Sequence, residues 1–263
     1  MSDYSRTILE MFNHLIQKHP ELAPKFEEIA ATAQGKGYGA ATIQQEVNIV
    51  LQQLGNQPLL AMDMGGNRGE YTAELRRRAP AVEIHTFEPS WTNIQKLNSR
   101  FAGDAMIKII PSAISEETGS ATLYSNEPGS GLGSLTKRNL DHFNIPFDAK
   151  ETISTLRFEE YWREELNSRV LDIVKIDIEG HELSALNGFG AALAATKVIQ
   201  FEFGGCNIDT RTYFRDFWYF FQARNFSLRR ITPFGGAPMT QYKESDEFFS
   251  TTNYIAVNNH LAA

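Results

Sequence analysis

The chain has 263 residues, of which 42% are hydrophobic, 22% charged and 11% aromatic, with 18 Phe and a formal net charge of −7. That composition excludes intrinsic disorder, supplies enough chain for one large domain and its core, and opposes a phosphate backbone as the main partner. A single Cys206 excludes an intrachain disulfide framework and any Cys-based zinc site. No apolar run approaches the roughly 20 residues of a membrane span, and the charged N-terminal stretch does not read as a secretory leader, so a cytoplasmic protein is expected.

Two amphipathic segments open the chain. Ile8, Met11, Phe12 and Leu15 recur at helical spacing, as do Ile43, Val47, Val50, Leu51 and Leu54. The glycine-rich residues 34–39 between them read as a loop. Residues 1–57 are therefore expected as an N-terminal helical appendage, a packing element or a lid, ahead of a main domain at 58–263. From Pro58 onward short apolar strands (59–62, 82–87, 106–110, 171–176 and 197–203) alternate with helical stretches such as 71–78, 91–101 and 182–186. Such alternation predicts an α/β fold, a mostly parallel sheet covered by helices. Strand-like residues 226–231 and 253–257, separated by a loop with Pro233, Gly235, Gly236 and Pro238, predict a closing antiparallel pair. Two further β segments are expected near 121–124 and 152–155. The dense aromatics Tyr213, Phe214, Phe217, Trp218, Tyr219, Phe220 and Phe221 read as core on a helix rather than as a stacking platform.

The first chemical signal is the run L-L-A-M-D-M-G-G-N-R-G-E-Y-T at 59–72, an apolar strand leading through an acid into a glycine turn and a helix. In open α/β sheets ligands bind at the carboxyl ends of strands, where such turns let backbone and ligand approach. A dinucleotide fingerprint requires G-x-G-x-x-G, but Asn67 and Glu70 stand where its second and third glycines belong. The pattern present, D-x-G-x-x-x-G from Asp63 through Gly65 to Gly69, resembles the S-adenosylmethionine (SAM) loop of class I methyltransferases. Asp63, Gly65, Asn67, Gly69 and Tyr71 are thus cofactor candidates, with Asp63 supplying negative charge to the cationic methionine end. Glu88 ends the next strand about 20 residues after the turn, where a carboxylate can accept both ribose hydroxyls of an adenosine. Pro89 follows it, and Ser112 and Ala113 after the third strand occupy the place of the adenine edge.

The most specific stretch is D-I-V-K-I-D-I-E-G-H-E-L at 172–183, a strand that discharges five ionisable groups within eight residues. Along an extended chain Lys175, Asp177 and Glu179 share a face. Burying so many charges is unfavourable unless they pair or bind something. This run, continuing S-A-L-N-G, resembles the signature of the FkbM-type SAM-dependent methyltransferases. M-D-M-G-G-N-R-G-E-Y-T, T-F-E-P-S, Thr155-Leu156-Arg157-Phe158 and Ile199-Gln200-Phe201-Glu202-Phe203 match the same family in order, over about residues 58–257. Two positions depart from the pattern: Arg157 stands where the family usually has Asp, and His181 replaces a small residue. The resemblance implies a seven-stranded Rossmann-like class I fold, SAM as donor, and O-methylation of a hydroxyl on a sugar, polyketide or other small metabolite.

Methyl transfer chiefly requires alignment of nucleophile, methyl and sulfur, and a hydroxyl nucleophile gains from a nearby base. Asp177, Glu179 and His181 are the candidates. His181 has the ordinary pKa for the task, Asp177 lies nearest the expected methyl position, and Lys175 neutralises the carboxylates or contacts an anionic acceptor. Asp177, Glu179 and Glu182 are also a candidate oxygen set for a divalent cation, though a metal-free reading is preferred. Glu202, Asn207 and Arg211 after the fifth strand form a second candidate acceptor wall. The expected partner is a hydroxylated small molecule, with no nucleic acid and no membrane; a homodimer is compatible with the N-terminal helices. The competing readings are a nicotinamide-dependent oxidoreductase on a Rossmann sheet and a non-catalytic SAM-binding module.

Overall fold

The structure, a computed structural model, describes residues 3–39 and 42–261. Helices α1 (Asp3–Lys18) and α2 (Ala23–Ala33) open the chain and α3 (Ile43–Leu51) follows the glycine-rich loop. α1 leaves Ile8, Leu9 and Met11 exposed, its Phe12 meeting Phe26 of α2 edge-on at 4.6 Å. α3 behaves differently. Its Val47, Ile49 and Val50 are buried with Leu75, Ile84, Ile173 and Ile231 in one of the two layers that cover the sheet.

β1 (Leu60–Met64), α4 (Glu70–Arg78), β2 (Glu83–Phe87), α5 (Trp91–Arg100) and β3 (Ile107–Ile110) form the first parallel half. A small sheet follows, made of β4 (Ala113–Ser115), β5 (Gly119–Ser125) and β6 (Ala149–Arg157) in the order β4-β6-β5. α6 (Phe158–Glu164), β7 (Leu171–Ile176), α7 (Glu182–Asn187), β8 (Thr196–Phe203), α8 (Cys206–Thr210) and α9 (Phe214–Gln222) lead to β9 (Phe226–Thr232), β10 (Gly235–Met239) and β11 (Thr252–Asn258). The main sheet has the order β10-β9-β11-β8-β7-β1-β2-β3, parallel from β8 to β3 and antiparallel at β11, β9 and β10. It carries one strand beyond the expected seven. β10 occupies residues read as loop because they include Gly235, Gly236 and Pro238; an edge strand tolerates a proline, which has no ladder N–H to give.

Every residue of β7 is buried, as a parallel strand covered on both faces requires. One covering layer is the aromatic α9, whose Phe217 and Phe221 stack on Phe201 of β8 at 5.0 and 5.2 Å, with Tyr254 of β11 on the same ring at 5.4 Å. The α9 aromatics are therefore core, save the exposed Tyr219 and the flanking Tyr213. α6 was hidden in the sequence by its acidic residues, although Phe158, Tyr161 and Trp162 at helical spacing are its buried stripe. Register then positions the site: Asp63 of β1 lies beside Lys175 of β7, and Lys175 beside Gln200 of β8. On the far side Glu202 of β8 pairs with Asn253 of β11.

Candidate active site

At the carboxyl ends of β1, β2, β7 and β8 a cavity of about 250 Å³ is lined from the glycine turn to Glu202. Its first end is built by backbone. The N–H groups of Gly65 and Gly66 both donate to the Phe87 carbonyl, at 3.0 and 2.9 Å. Gly65 adopts φ +88, and a Cβ there would stand 1.8 Å from the Asp177 carbonyl oxygen, so only glycine lets the turn meet β7. Gly69, at φ +81, does not line the cavity; it starts α4 against the Phe101 ring. The Asn67 N–H donates to Glu88 Oε2 at 2.7 Å and the Ser90 N–H to Oε1 at 2.9 Å. The Asn93 side chain is a further donor to this carboxyl, and burial pushes it up to about 7 in spite of its donors. Pro89, Ser112 and Ala113 line the same end, Ser112 being tied to the small sheet by donation to the Ser154 carbonyl at 3.1 Å.

Asp63 is placed otherwise than its motif position suggests. It is buried behind the turn rather than lining the cavity, accepting from Thr72 Oγ1 at 2.6 Å. Its Oδ1 has no hydrogen-bond partner and lies 3.9 Å from Lys175 Nζ. Lys175 in turn donates to Asp177 Oδ2 at 3.0 Å and sits 5.1 Å from the Tyr71 ring centroid. The carboxylates around it hold its ammonium well above the usual lysine range despite burial. Tyr71 lines the cavity, and its hydroxyl donates to Gln200 Oε1 at 3.0 Å.

The second end is acidic and held by side chains. Asp177, Glu179, His181 and Glu202 line it together. Glu179 has a left-handed backbone, φ +55, and accepts from Arg138 Nη1 at 2.7 Å, while Arg138 Nε donates to Asp209 at 3.2 Å. Burial and the nearby Asp177 nevertheless push Glu179 up to about 8. His181 Nε2 is 3.0 Å from Thr136 Oγ1, and burial lowers its pKa, which favours the neutral imidazole. Glu202 is pushed well above the ordinary carboxylate range by burial and by Asp177 and Glu179. Glu182 does not join them. It ties down the turn that leads into α7, accepting from the Ile178 and Gly180 N–H groups at 3.0 and 3.1 Å. Asn207 is fully buried with Oδ1 accepting from the Gly204 N–H, and Arg211 is exposed after α8; neither lines the cavity. Arg157 turns to Glu159 at 3.1 Å and also lies outside it. Among the described residues, no three His, Cys, Asp or Glu side chains converge as a metal-ligand set. No described helix is long and apolar enough to cross a membrane.

Several lining residues escaped the sequence reading. Gly39, Ile43 and Glu46 come from the N-terminal part, Asn253 from β11, and Gly129, Ser130, Gly131 and Gly133 from the loop after β5. Glu46 carried a legible signal, a carboxylate inside the apolar stripe Ile43, Val47, Val50; the loop carried none, because its role depends on where the small sheet docks.

An α/β sheet of this order, with a glycine turn, a carboxylate after β2 and a charged cluster after β7 around one cleft, defines a Rossmann-like methyltransferase domain. The family model described as the methyltransferase FkbM domain matches residues 63–228, and the chain belongs to that family. The chain is a methyltransferase, and the nicotinamide-dependent alternative falls away with that membership. No curated protein matches the chain. Among solved structures it is similar to the plantazolicin methyltransferase BpumL in complex with S-adenosylhomocysteine (SAH), at 10% identity and TM-score 0.47, covering 96% of this chain and 100% of that one. It is also similar to an rRNA methylase from Streptococcus thermophilus (10%, TM-score 0.43, 81% and 93% covered) and to precorrin-6y C5,15-methyltransferase from Geobacter metallireducens (13%, TM-score 0.42, 80% and 87% covered). At such distances the likenesses identify neither donor nor acceptor for this chain.

Proposed function

We propose that the protein transfers a methyl group from SAM to a hydroxyl of a small polar metabolite. The observation that carries this reading is the continuity of one cavity from Glu88 to Asp177, Glu179, His181 and Glu202. SAM, when bound, supplies a methyl group already activated by its sulfonium. Glu88 suits the ribose hydroxyls, since it lines the cavity after β2 with both its oxygens fixed by backbone donors. Ser112, Ala113 and Pro89 then suit the adenine, and the Gly65–Gly66 turn suits close passage of the methionine chain.

At the other end Asp177, oriented by Lys175, accepts a hydrogen bond from the acceptor hydroxyl and aligns it. Glu179, held at about 8 by burial and the nearby Asp177, takes the hydroxyl proton. His181, kept neutral by burial and lining the same end of the cavity, is a further hydrogen-bond partner for that hydroxyl. Lys175, the one Lys or Arg among the described lining residues, is already engaged by Asp177 and Asp63, so no cation there is free for a phosphate ester, which supports a small neutral or cationic acceptor over nucleic acid. Glu202 and Asn253 are the acceptor contacts in this reading, and the N-terminal segment serves the site as a wall through Gly39, Ile43 and Glu46.

Calorimetric titration with SAH and with NAD, on the full chain and on Glu88→Ala, tests the donor. SAH binding that weakens at least about tenfold in the variant, with no NAD binding, is the expected result. Wild-type protein that binds NAD and not SAH would overturn the reading. Product formation from a panel of hydroxylated metabolites, abolished in Asp177→Asn with SAH binding intact, separates an enzyme from a non-catalytic binding module.

A further inference from the structure

Glu46 lies outside the matched residues 63–228, on a helix that precedes the first strand. Its side chain nevertheless lines the cleft, and the residue is 3% exposed. Oε1 accepts from Thr42 Oγ1 and Oε2 from Gln200 Nε2, both at 2.6 Å. The Gln200 amide is fixed at both ends, because the Tyr71 hydroxyl donates to its Oε1 while its Nε2 also reaches Asn253 Oδ1 at 3.2 Å. That arrangement turns a donor toward Glu46 and holds the carboxylate in one pose. No Lys, Arg or His nitrogen lies within ion-pair distance of Glu46 among the described residues. Lys175, the cation felt there, is already engaged by Asp177 and Asp63. Three carboxylates thus surround a single buried ammonium, and burial holds Glu46 above its ordinary range.

A buried, hydrogen-bonded carboxylate without a cation is costly unless a ligand brings one. With the ribose at Glu88, the methionine chain of the donor leads over the Gly65–Gly66 turn toward Tyr71, Lys175 and Glu46, all lining one wall. We infer that Glu46 is the receptor for the α-ammonium of the donor's methionine moiety, so that α3 completes a cofactor site which the family-matched region leaves open. The inference rests on the SAM reading above.

The test measures binding of SAH and of its analogue lacking the amine, S-adenosyl-4-thiobutyrate, to the full chain and to Glu46→Gln. The amide keeps an oxygen for Gln200 and an NH₂ for a reoriented Thr42 hydroxyl, so the variant removes charge with little change of shape; matching thermal melts of both proteins check this. Wild type is expected to bind SAH about 10- to 100-fold more tightly than the amine-free analogue, the range of one hydrogen bond to a charged group. Glu46→Gln loses that preference while its affinity for the analogue stays within about twofold of wild type. Equal weakening of both ligands, or an undiminished preference in the variant, overturns the assignment to Glu46 while leaving SAM as donor. Wild type that binds neither ligand sinks the donor reading and the inference together. Should the melts differ, Glu46→Asp, a shortened carboxylate, is compared instead; it is expected to retain part of the preference, and its complete loss there overturns the proposal.

Discussion

The two ends of the cleft are built by different means. At the Glu88 end nearly every polar contact is backbone: the Asn67 and Ser90 N–H groups on the carboxylate, and the Gly65 and Gly66 N–H groups on the Phe87 carbonyl. These groups come from short contiguous stretches after β1 and β2. At the Glu179 end the contacts are side chain to side chain and come from remote segments: Lys175 on Asp177, Arg138 on Glu179 and Asp209, Thr136 beside His181. The first end is rigid and indifferent to most side-chain exchanges, provided its glycines remain. The second is electrostatically loaded, with buried carboxylates that raise one another's pKa, a condition suited to proton transfer.

That contrast is open to direct attack, and the largest effect is expected at the backbone-built end. Gly65→Ala drives a methyl group into the Asp177 carbonyl at a φ of +88 and separates β1's turn from β7. SAH binding is expected to disappear, with a fall in melting temperature far exceeding that of Gly103→Ala. Gly103 has a similar φ of +84 but nothing within 4 Å of its added Cβ, so its cost is the backbone term alone, about 1–2 kcal/mol. Equal losses in the two variants would mean that the turn does not depend on close approach.

The next effect belongs to the charged end. Lys175→Met leaves Asp63 and Asp177 without their buried cation, a change that typically costs about 3–5 kcal/mol. Chemical denaturation would measure it, and adding Asp177→Asn to the same chain should recover part of the loss. If the single variant is as stable as wild type, the charges at this end are better solvated than their burial indicates.

The same division decides how much could be read beforehand. The strand-turn-helix at 59–72, Glu88 at the end of β2 and the run at 172–183 announce themselves because each is a contiguous pattern whose period changes at the site. They gave the sheet and much of the cavity's lining. Asn207 and Arg211 misled because the polar stretch after β8 folds into α8, which turns Asn207 inward to the Gly204 N–H and Arg211 outward. Asp63 carried the right motif, yet the pleat of β1 aims it at Thr72 and Lys175 instead of the cavity. Arg138, Thr136 and Asn253 had no local signal at all, since only the tertiary fold brings Arg138 to Glu179, Thr136 to His181 and Asn253 of β11 to the cleft. β10 was hidden by Pro238, whose tolerance at a sheet edge is a property of its position.

The smallest predicted effect separates the two ends by pH. Glu88 and Glu182 are held at about 7 and Glu179 at about 8, all above the ordinary carboxylate value of 4.5. A carboxyl raised in the folded state binds more protons there than in the unfolded chain, so its stabilising contribution is complete below about 4.5 and is lost as pH climbs through the folded value. His85 and His181 are lowered by burial and act oppositely, but only below about 6.5, where the unfolded imidazole charges. The melting temperature is therefore expected to fall from pH 6.5 to 8 and to flatten above that. Between pH 7 and 8 the losses at Glu88 and Glu182 are fading while that at Glu179 continues. Glu179→Gln should lower the slope across the whole range from 6.5 to 8, most visibly above about 7, where the contributions of Glu88 and Glu182 fade and the fall should largely vanish. A profile that the substitution leaves unchanged would mean that Arg138 keeps Glu179 ionised in spite of its burial, and the base would then have to be sought at His181 or Glu202.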